Sequence, residues 1–136
     1  MRFVLDNSVL IAWAFDEHSD YADAVGGGLT GNRAVVPSLW PLEFSNTLLV
    51  AERRRRLTEA EAARIRDHVL GLPIEVMPDQ AARIMTEVLA LARQHGLTVY
   101  DASYLDLAMR EGVPLATLDA DLVAAAEGVG VPLFEP

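Results

Sequence analysis

The sequence predicts an α/β fold in which a parallel sheet is covered by helices on both faces. Two observations carry this expectation. Short apolar, β-favouring runs alternate with helical segments along the chain. Four carboxylates, Asp6, Glu43, Asp101 and Asp119, stand at the punctuation points of that alternation, and Asp6 and Asp119 end apolar runs that read as buried strands. Ligands in open α/β sheets bind beyond the carboxyl ends of strands, where these two acids fall.

Arg2 to Leu5 is a short apolar run that stops at Asp6. Ser8 to Phe15 reads as a mostly buried helix. Asp20 to Val25 reads as a short polar helix ended by Gly26-Gly27-Gly28, a flexible turn that lacks the G-x-G-x-x-G spacing of a nucleotide loop. Ala34 to Val36 is a second strand, closed by Pro37. Ser38 is expected to cap a helix running to about Glu52, with Pro41 in the first turn, where proline is tolerated. Thr58-Glu59-Ala60-Glu61 is a capping box that opens a helix to about Leu70. Pro73 to Val76 is a third strand. Pro78-Asp79 opens a long helix through about Gln94, with Ile84, Val88 and Leu91 as apolar positions and Gly96 as its end. Thr98 to Met109 is the next helix, ended by Gly112. Val113 to Leu118 is a fourth strand, Asp119 to Ala126 a last helix, and Pro132 to Phe134 a short edge strand. No linker, repeat or low-complexity stretch interrupts the chain, so residues 1–136 are expected to form a single domain.

Composition narrows the chemistry. The chain has no cysteine, which excludes disulfides, thiolate zinc sites and a cysteine nucleophile and suits a reducing cytoplasm. No segment is apolar over a bilayer's width, and the N-terminus carries one Arg and then a strand-like run instead of a leader. The formal net charge of −9 argues against a plain nucleic-acid coat protein, yet leaves room for a nuclease whose carboxylates are neutralised by metal. All 11 basic side chains, histidine aside, are arginines. Mechanisms that need lysine, among them a phosphate-loop Lys and a Schiff base, are therefore excluded.

Carboxylates gathered at strand ends repel one another unless cations lie between them, so a divalent-metal site with metal-assisted phosphodiester chemistry is the first hypothesis. Each acid also has an ordinary role. Asp6 and Asp119 are positioned to cap the helices that follow them, and Asp121 can share that task at the second. Thr98-x-x-Asp101 resembles a capping box, although Asp101 shares a helical face with Leu105 and Ala108, where an unpaired carboxylate is costly. Glu43 has the most apolar surroundings of the four, and Asn46 and Val50 lie on its face. Ser8 and Thr117, each two residues from an acid, either orient a carboxylate or cap and pack. Arg53-Arg54-Arg55-Arg56 reads as a solvated helix end that complements the helix dipole, or as a phosphate-contacting patch at the rim of the site. His18, His68 and His95 share no metal-ligand spacing and read as surface residues.

Taken in order, Leu5-Asp6-Asn7-Ser8, Glu43 in the third helix, Val99-Tyr100-Asp101-Ala102-Ser103-Tyr104 and Thr117-Leu118-Asp119-Ala120-Asp121-Leu122 resemble the PIN-domain ribonucleases. The length and helix spacing resemble the VapC toxins of bacterial toxin–antitoxin pairs. The resemblance covers essentially the whole chain and is most specific from Tyr100 to Leu122. It implies a three-layer α/β/α sandwich with a five-stranded parallel sheet. It also implies an acidic cluster of Asp6, Glu43, Asp101 and Asp119 that binds Mg²⁺ or Mn²⁺, with Asp121 in support. The implied activity is metal-dependent endonucleolytic cleavage of RNA by a homodimeric toxin held in check by a small antitoxin. Asn7 departs from the small or hydroxyl residue that often follows the first Asp of the family.

The alternatives are a receiver or Asp-centred phosphotransfer domain and a silent PIN-like binding protein. The first lacks its Lys and, after the first strand, its D-x-D-x-T run. The second is opposed by the presence of all four acids. Leu10, Ile11, Trp13, Phe15, Trp40, Phe44, Leu48 and Leu49 crowd the first helices; they are either core or part of a groove for an amphipathic partner helix.

Overall fold

The computed structural model describes residues 1–17 and 19–136, so His18 lies outside the described residues. Strands β1 (Arg2–Leu5), β2 (Arg33–Pro37), β3 (Ile74–Met77) and β4 (Leu115–Ala116) form a parallel sheet in the order β3-β2-β1-β4. Successive side chains of a strand point to opposite faces, and this sorts the core into two layers. Phe3, Leu5, Ala34, Val36 and Ala116 enter one; Val4, Val35 and Leu115 enter the other.

Helices cover both faces. α1 (Asn7–Ala14), α2 (Asp20–Gly28), α3 (Trp40–Arg53) and α4 (Glu59–Leu70) bring Leu10, Val25, Phe44, Leu48 and Val69 to the first layer. On the other side lies α5, composed of Ala81–Arg83, a π-helical turn Ile84–Val88 and Leu89–His95. With α6 (Val99–Glu111) and α7 (Ala120–Val129) it supplies Val88, Leu91, Tyr104, Leu105 and Leu122. The result is an α/β/α sandwich. No helix among the described residues is long and apolar enough to cross a membrane.

The local signals explain most boundaries. The capping box at Thr58 closes in both directions, Thr58 N to Glu61 Oε1 at 3.0 Å and Glu61 N to Thr58 Oγ1 at 3.1 Å. Gly96 and Gly112 end α5 and α6 in the left-handed conformation, both at φ 64°.

Five expectations are corrected. Among the described residues the sheet has four strands and not five. Pro132–Phe134 meets β4 through a single parallel bridge, Leu115 with Leu133, because β4 is only two residues long and Pro132 has no N–H to extend a ladder. Two backbone bonds make that bridge, Leu115 N to Pro132 O at 3.0 Å and Phe134 N to Leu115 O at 2.8 Å, and the Phe134 ring, stacked on Phe3 with centroids 3.9 Å apart, adds to them. The triple glycine is not a turn: α2 runs through it. Gly26 packs so closely on Trp13 that a Cβ there would stand 3.4 Å from the indole, and Trp13 Nε1 donates to Ala22 O at 2.6 Å. Ser38 does not cap α3, whose N-cap is Leu39 with no side-chain bond. Its N–H and hydroxyl both donate to Asp79 Oδ2, at 2.8 and 2.6 Å, and Asp79 Oδ1 accepts from Arg110 Nη2 at 2.8 Å. Asp79 thus ties the β2–α3 turn to α6 and does not open α5. Finally, His95 is half-buried and not a surface residue, with a buried Nε2 that has no hydrogen-bond partner among the described residues; His68 is exposed.

Candidate active site

The carboxyl ends of β1 and β4 lie side by side, fixed by Asp6 N donating to Ala116 O at 3.0 Å. This register brings Thr117 across to Asp6. Asp6 Oδ2 accepts from Ser8 Oγ at 2.6 Å, from Thr117 Oγ1 at 2.9 Å and, as the N-cap of α1, from Ser8 N at 3.4 Å. Both hydroxyls are themselves aimed by backbone donors, Leu118 N to Ser8 Oγ and Asp119 N to Thr117 Oγ1, each at 3.0 Å. A hydroxyl that accepts an N–H turns its own proton toward Asp6. Even so, the Asp6 carboxyl is held above its usual range, because burial outweighs these stabilising bonds.

Asp119 caps α7, its Oδ1 accepting from Asp121 N at 2.9 Å and Leu122 N at 3.1 Å. Asp121 follows in the first turn and is exposed. Asp101 sits in the first turn of α6, where Thr98 Oγ1 accepts its N–H at 3.1 Å. Its carboxyl is raised by partial burial first, then by the charges of Asp6, Asp119 and Asp121. Glu43, in the first turn of α3, is raised by burial and by Asp6 and Asp101, against the opposing pull of a hydrogen bond from Tyr104.

That bond is the feature the sequence reading missed. Tyr104 is fully buried on α6 and its hydroxyl donates to Glu43 Oε1 at 2.7 Å, joining the two helices that carry Glu43 and Asp101. Burial and the neighbouring carboxylates push its phenol well above the usual range, so it remains a donor throughout. The available signal was its position three residues after Asp101, on the same helical face.

Asp6, Glu43, Asp101, Asp119 and Asp121 therefore lie in one electrostatic field, and no arginine is among the groups acting on Asp6, Glu43 or Asp101. Beside them, Asn7 Oδ1 is a buried acceptor with no hydrogen-bond partner among the described residues. Oxygen donors of this kind suit a hard divalent cation. Among the described residues no three His, Asp or Glu side chains stand close enough together to hold a metal ion. The Arg53–Arg56 run is at the far end of α3 from Glu43.

Of the apolar residues crowded into the first helices, Leu10, Trp40, Phe44 and Leu48 are core; Ile11, Trp13 and Phe15 are half-buried and Leu49 is exposed. A groove of about 390 Å³ runs between α3 and α4, lined by Trp40, Phe44, Leu48, Leu49, Val69 and Leu70 among others.

Known proteins resemble this chain in sequence and fold. The PIN domain family model matches residues 3–128. Ribonuclease VapC3 of Pyrobaculum aerophilum is 31% identical over 123 residues, covering 90% of this chain and 92% of the relative. The crystal structure of PAE2754 from the same organism superposes with a TM-score of 0.73 at 30% identity, over 94% of this chain and 81% of that one. VapBC2 of Rickettsia felis, solved bound to a DNA fragment from its promoter, matches in fold with a TM-score of 0.70 at 16% identity, covering 98% of both chains.

Proposed function

This chain belongs to the PIN-domain family as a VapC-type ribonuclease, and from that premise we propose that Asp6, Glu43, Asp101 and Asp119 bind Mg²⁺ or Mn²⁺ and direct endonucleolytic cleavage of RNA. One observation carries the assignment: burial raises the Glu43 and Asp101 carboxyls, the charge of Asp6 adds to both, and no arginine supplies positive charge to offset it. A bound divalent ion supplies that positive charge, together with an activated water and stabilisation of charge on the phosphodiester. Ser8 and Thr117 hold Asp6 in one rotamer, Tyr104 holds one oxygen of Glu43 and leaves the other available, and the α6 and α7 first turns present Asp101 and Asp119. Asp121 adds charge at the edge of the site. No step needs a protein nucleophile.

Residues 1–136 act as one nuclease domain, the toxin of a toxin–antitoxin pair in the cytoplasm. It works as a homodimer whose activity is held down by a small antitoxin. The apolar groove between α3 and α4 supports the partner, since an amphipathic helix buries its apolar face in such a surface. An Arg of that partner placed among the carboxylates would offset the same charge that the ion does.

Two measurements test this reading. An ion that binds only the folded state raises the melting temperature by mass action. Millimolar Mn²⁺ should therefore raise the melting temperature of the wild type and have little effect on the Asp6→Asn, Asp101→Asn double variant; equal responses remove the site. Co-purification with the neighbouring reading frame's product, with light scattering for the dimer, tests the toxin assignment; a strictly monomeric protein without such a partner removes it.

A further inference from the structure

We infer that the groove between α1 and α3 is a phosphate track that leads single-stranded RNA from the acidic site to Arg54 and Arg56, an inference that rests on the nuclease reading. Both helices begin at the site: α1 is capped by Asp6 and α3 carries Glu43 in its first turn. Below them lies a groove of about 270 Å³ lined by Ile11, Asn46, Thr47, Val50, Arg54 and Arg56, among others. Glu43, Asn46, Thr47, Val50 and Arg54 follow the three- and four-residue spacing of a single helical face. Thr47 Oγ1 donates to the Glu43 main-chain carbonyl at 3.0 Å, which holds its hydroxyl against the helix on this face. From Glu43 to Arg54 the helix rises about 16 Å, room for a short run of nucleotides.

The chemistry along this face changes in the order an RNA strand requires. The acidic end suits the ion and the scissile phosphate. The exposed Asn46 amide offers hydrogen-bond donors, and the far end is basic. In a chain of net charge −9, a polyanion needs a local cationic path, and four consecutive arginines are more than one helix dipole requires. Among the described residues Arg54 pairs with no carboxylate. Arg56 is held over the Phe15 ring at 5.0 Å and reaches Glu17 only at 3.9 Å, with both side chains more than half exposed, a pairing that a phosphate can replace.

The backbone turn that presents these side chains is itself unusual. Arg56 N donates to Ala51 O at 2.9 Å and Arg55 stands at φ 59°, the left-handed position that glycine ordinarily takes at a helix end. Arginine accepts the strain here, and the turn places Arg54 and Arg56 on the same groove. Contacts of this kind go to phosphates and are indifferent to sequence, so the track recognises unpaired RNA backbone and leaves base choice to other residues.

The test is binding of a labelled oligouridine strand to Asp6→Asn protein in EDTA, followed by fluorescence anisotropy across a salt series. Each phosphate contact to a single strand contributes about 0.7 to the slope of log K against log salt. Arg54→Gln with Arg56→Gln should weaken binding and lower the slope by about 1.4; Arg54→Gln alone, at an exposed and unpaired position, should lower it by about 0.7. Arg93→Gln, an equal change of charge in α5, should leave the slope unchanged. An unaltered slope in both groove variants overturns the track. A groove variant that loses a co-expressed partner protein while keeping the RNA slope also overturns it and assigns the groove to protein. Failure of wild-type protein to cleave any RNA with Mn²⁺ overturns the nuclease reading instead, whatever the slopes show.

Discussion

Replacing Tyr104 with Phe deletes one oxygen from a fully buried side chain and leaves the packing of α6 intact. The lost bond is the 2.7 Å donation to Glu43 Oε1. A hydrogen bond to a charged acceptor contributes about 1.5–3 kcal/mol when its partner stays dry. Glu43 is only half-buried, so water re-solvates the freed oxygen and the loss of stability should be about 1 kcal/mol, or about 4 °C in melting temperature for a chain of this size. The functional cost is larger than this, because Glu43 is then free to turn. Removing the group that orients a metal-binding side chain typically weakens metal affinity about 10–100-fold. Calorimetric titration with Mn²⁺ and single-turnover cleavage of RNA should both show a loss of at least about tenfold. Wild-type Mn²⁺ affinity and cleavage in a variant whose melting temperature has dropped would show that Tyr104 merely props the core.

Further outcomes follow from the same geometry. Asp6→Asn should abolish cleavage yet raise the melting temperature in EDTA at neutral pH, since it removes a buried charge that lifts the carboxyls of Glu43 and Asp101; a large loss of stability would contradict this. Asp6, Glu43 and Asp101 are all raised from ordinary values of 3.8 or 4.5, so the folded chain keeps protons that the unfolded chain has lost. Their contribution to stability is therefore full below about pH 4 and is lost as the pH rises through their raised values. Metal-free wild type should lose more stability over that interval than the Asp6→Asn, Glu43→Gln, Asp101→Asn variant, measured by urea melts at each pH; parallel profiles would refute the shifts. Asp106 is buried on α6 and takes a fork from Arg83 at 2.8 to 3.2 Å. Arg83→Leu should cost about 2–3 kcal/mol, below the usual figure for a broken buried pair because Arg83 is partly exposed. A urea midpoint shift smaller than half of that would contradict the role given to the pair.

The parallel sheet and its helical cover were legible because alternating apolar runs and caps are local signals. Thr58 and Glu61, or Gly96 and Gly112, declare their roles within a few residues. The fifth strand was misread because Pro132 to Phe134 is apolar enough to pair, while pairing needs donors that the proline does not have. The triple glycine was misread because its purpose, close approach to the Trp13 and Phe134 rings, is a tertiary matter. Asp6 and Asp119 stood out as acids at strand ends, and both proved to be helix caps as well as members of the acidic field. Tyr104 and Asp106 were not visible. A tyrosine on an apolar helix face reads as core, and an aspartate reads as solvated, until their partners arrive from 61 and 23 residues away.

The central claim is that the four carboxylates and a divalent ion together cut RNA. Purified wild type and the Asp6→Asn, Glu43→Gln, Asp101→Asn and Asp119→Asn variants should be incubated with a set of cellular RNAs in Mg²⁺, in Mn²⁺ and in excess EDTA, and the product ends mapped. The account predicts internal cuts by the wild type with either ion, none in EDTA, and a severe loss in each variant that still folds. Undiminished cleavage in EDTA, or full activity of the Asp6→Asn or Asp101→Asn protein, would contradict it.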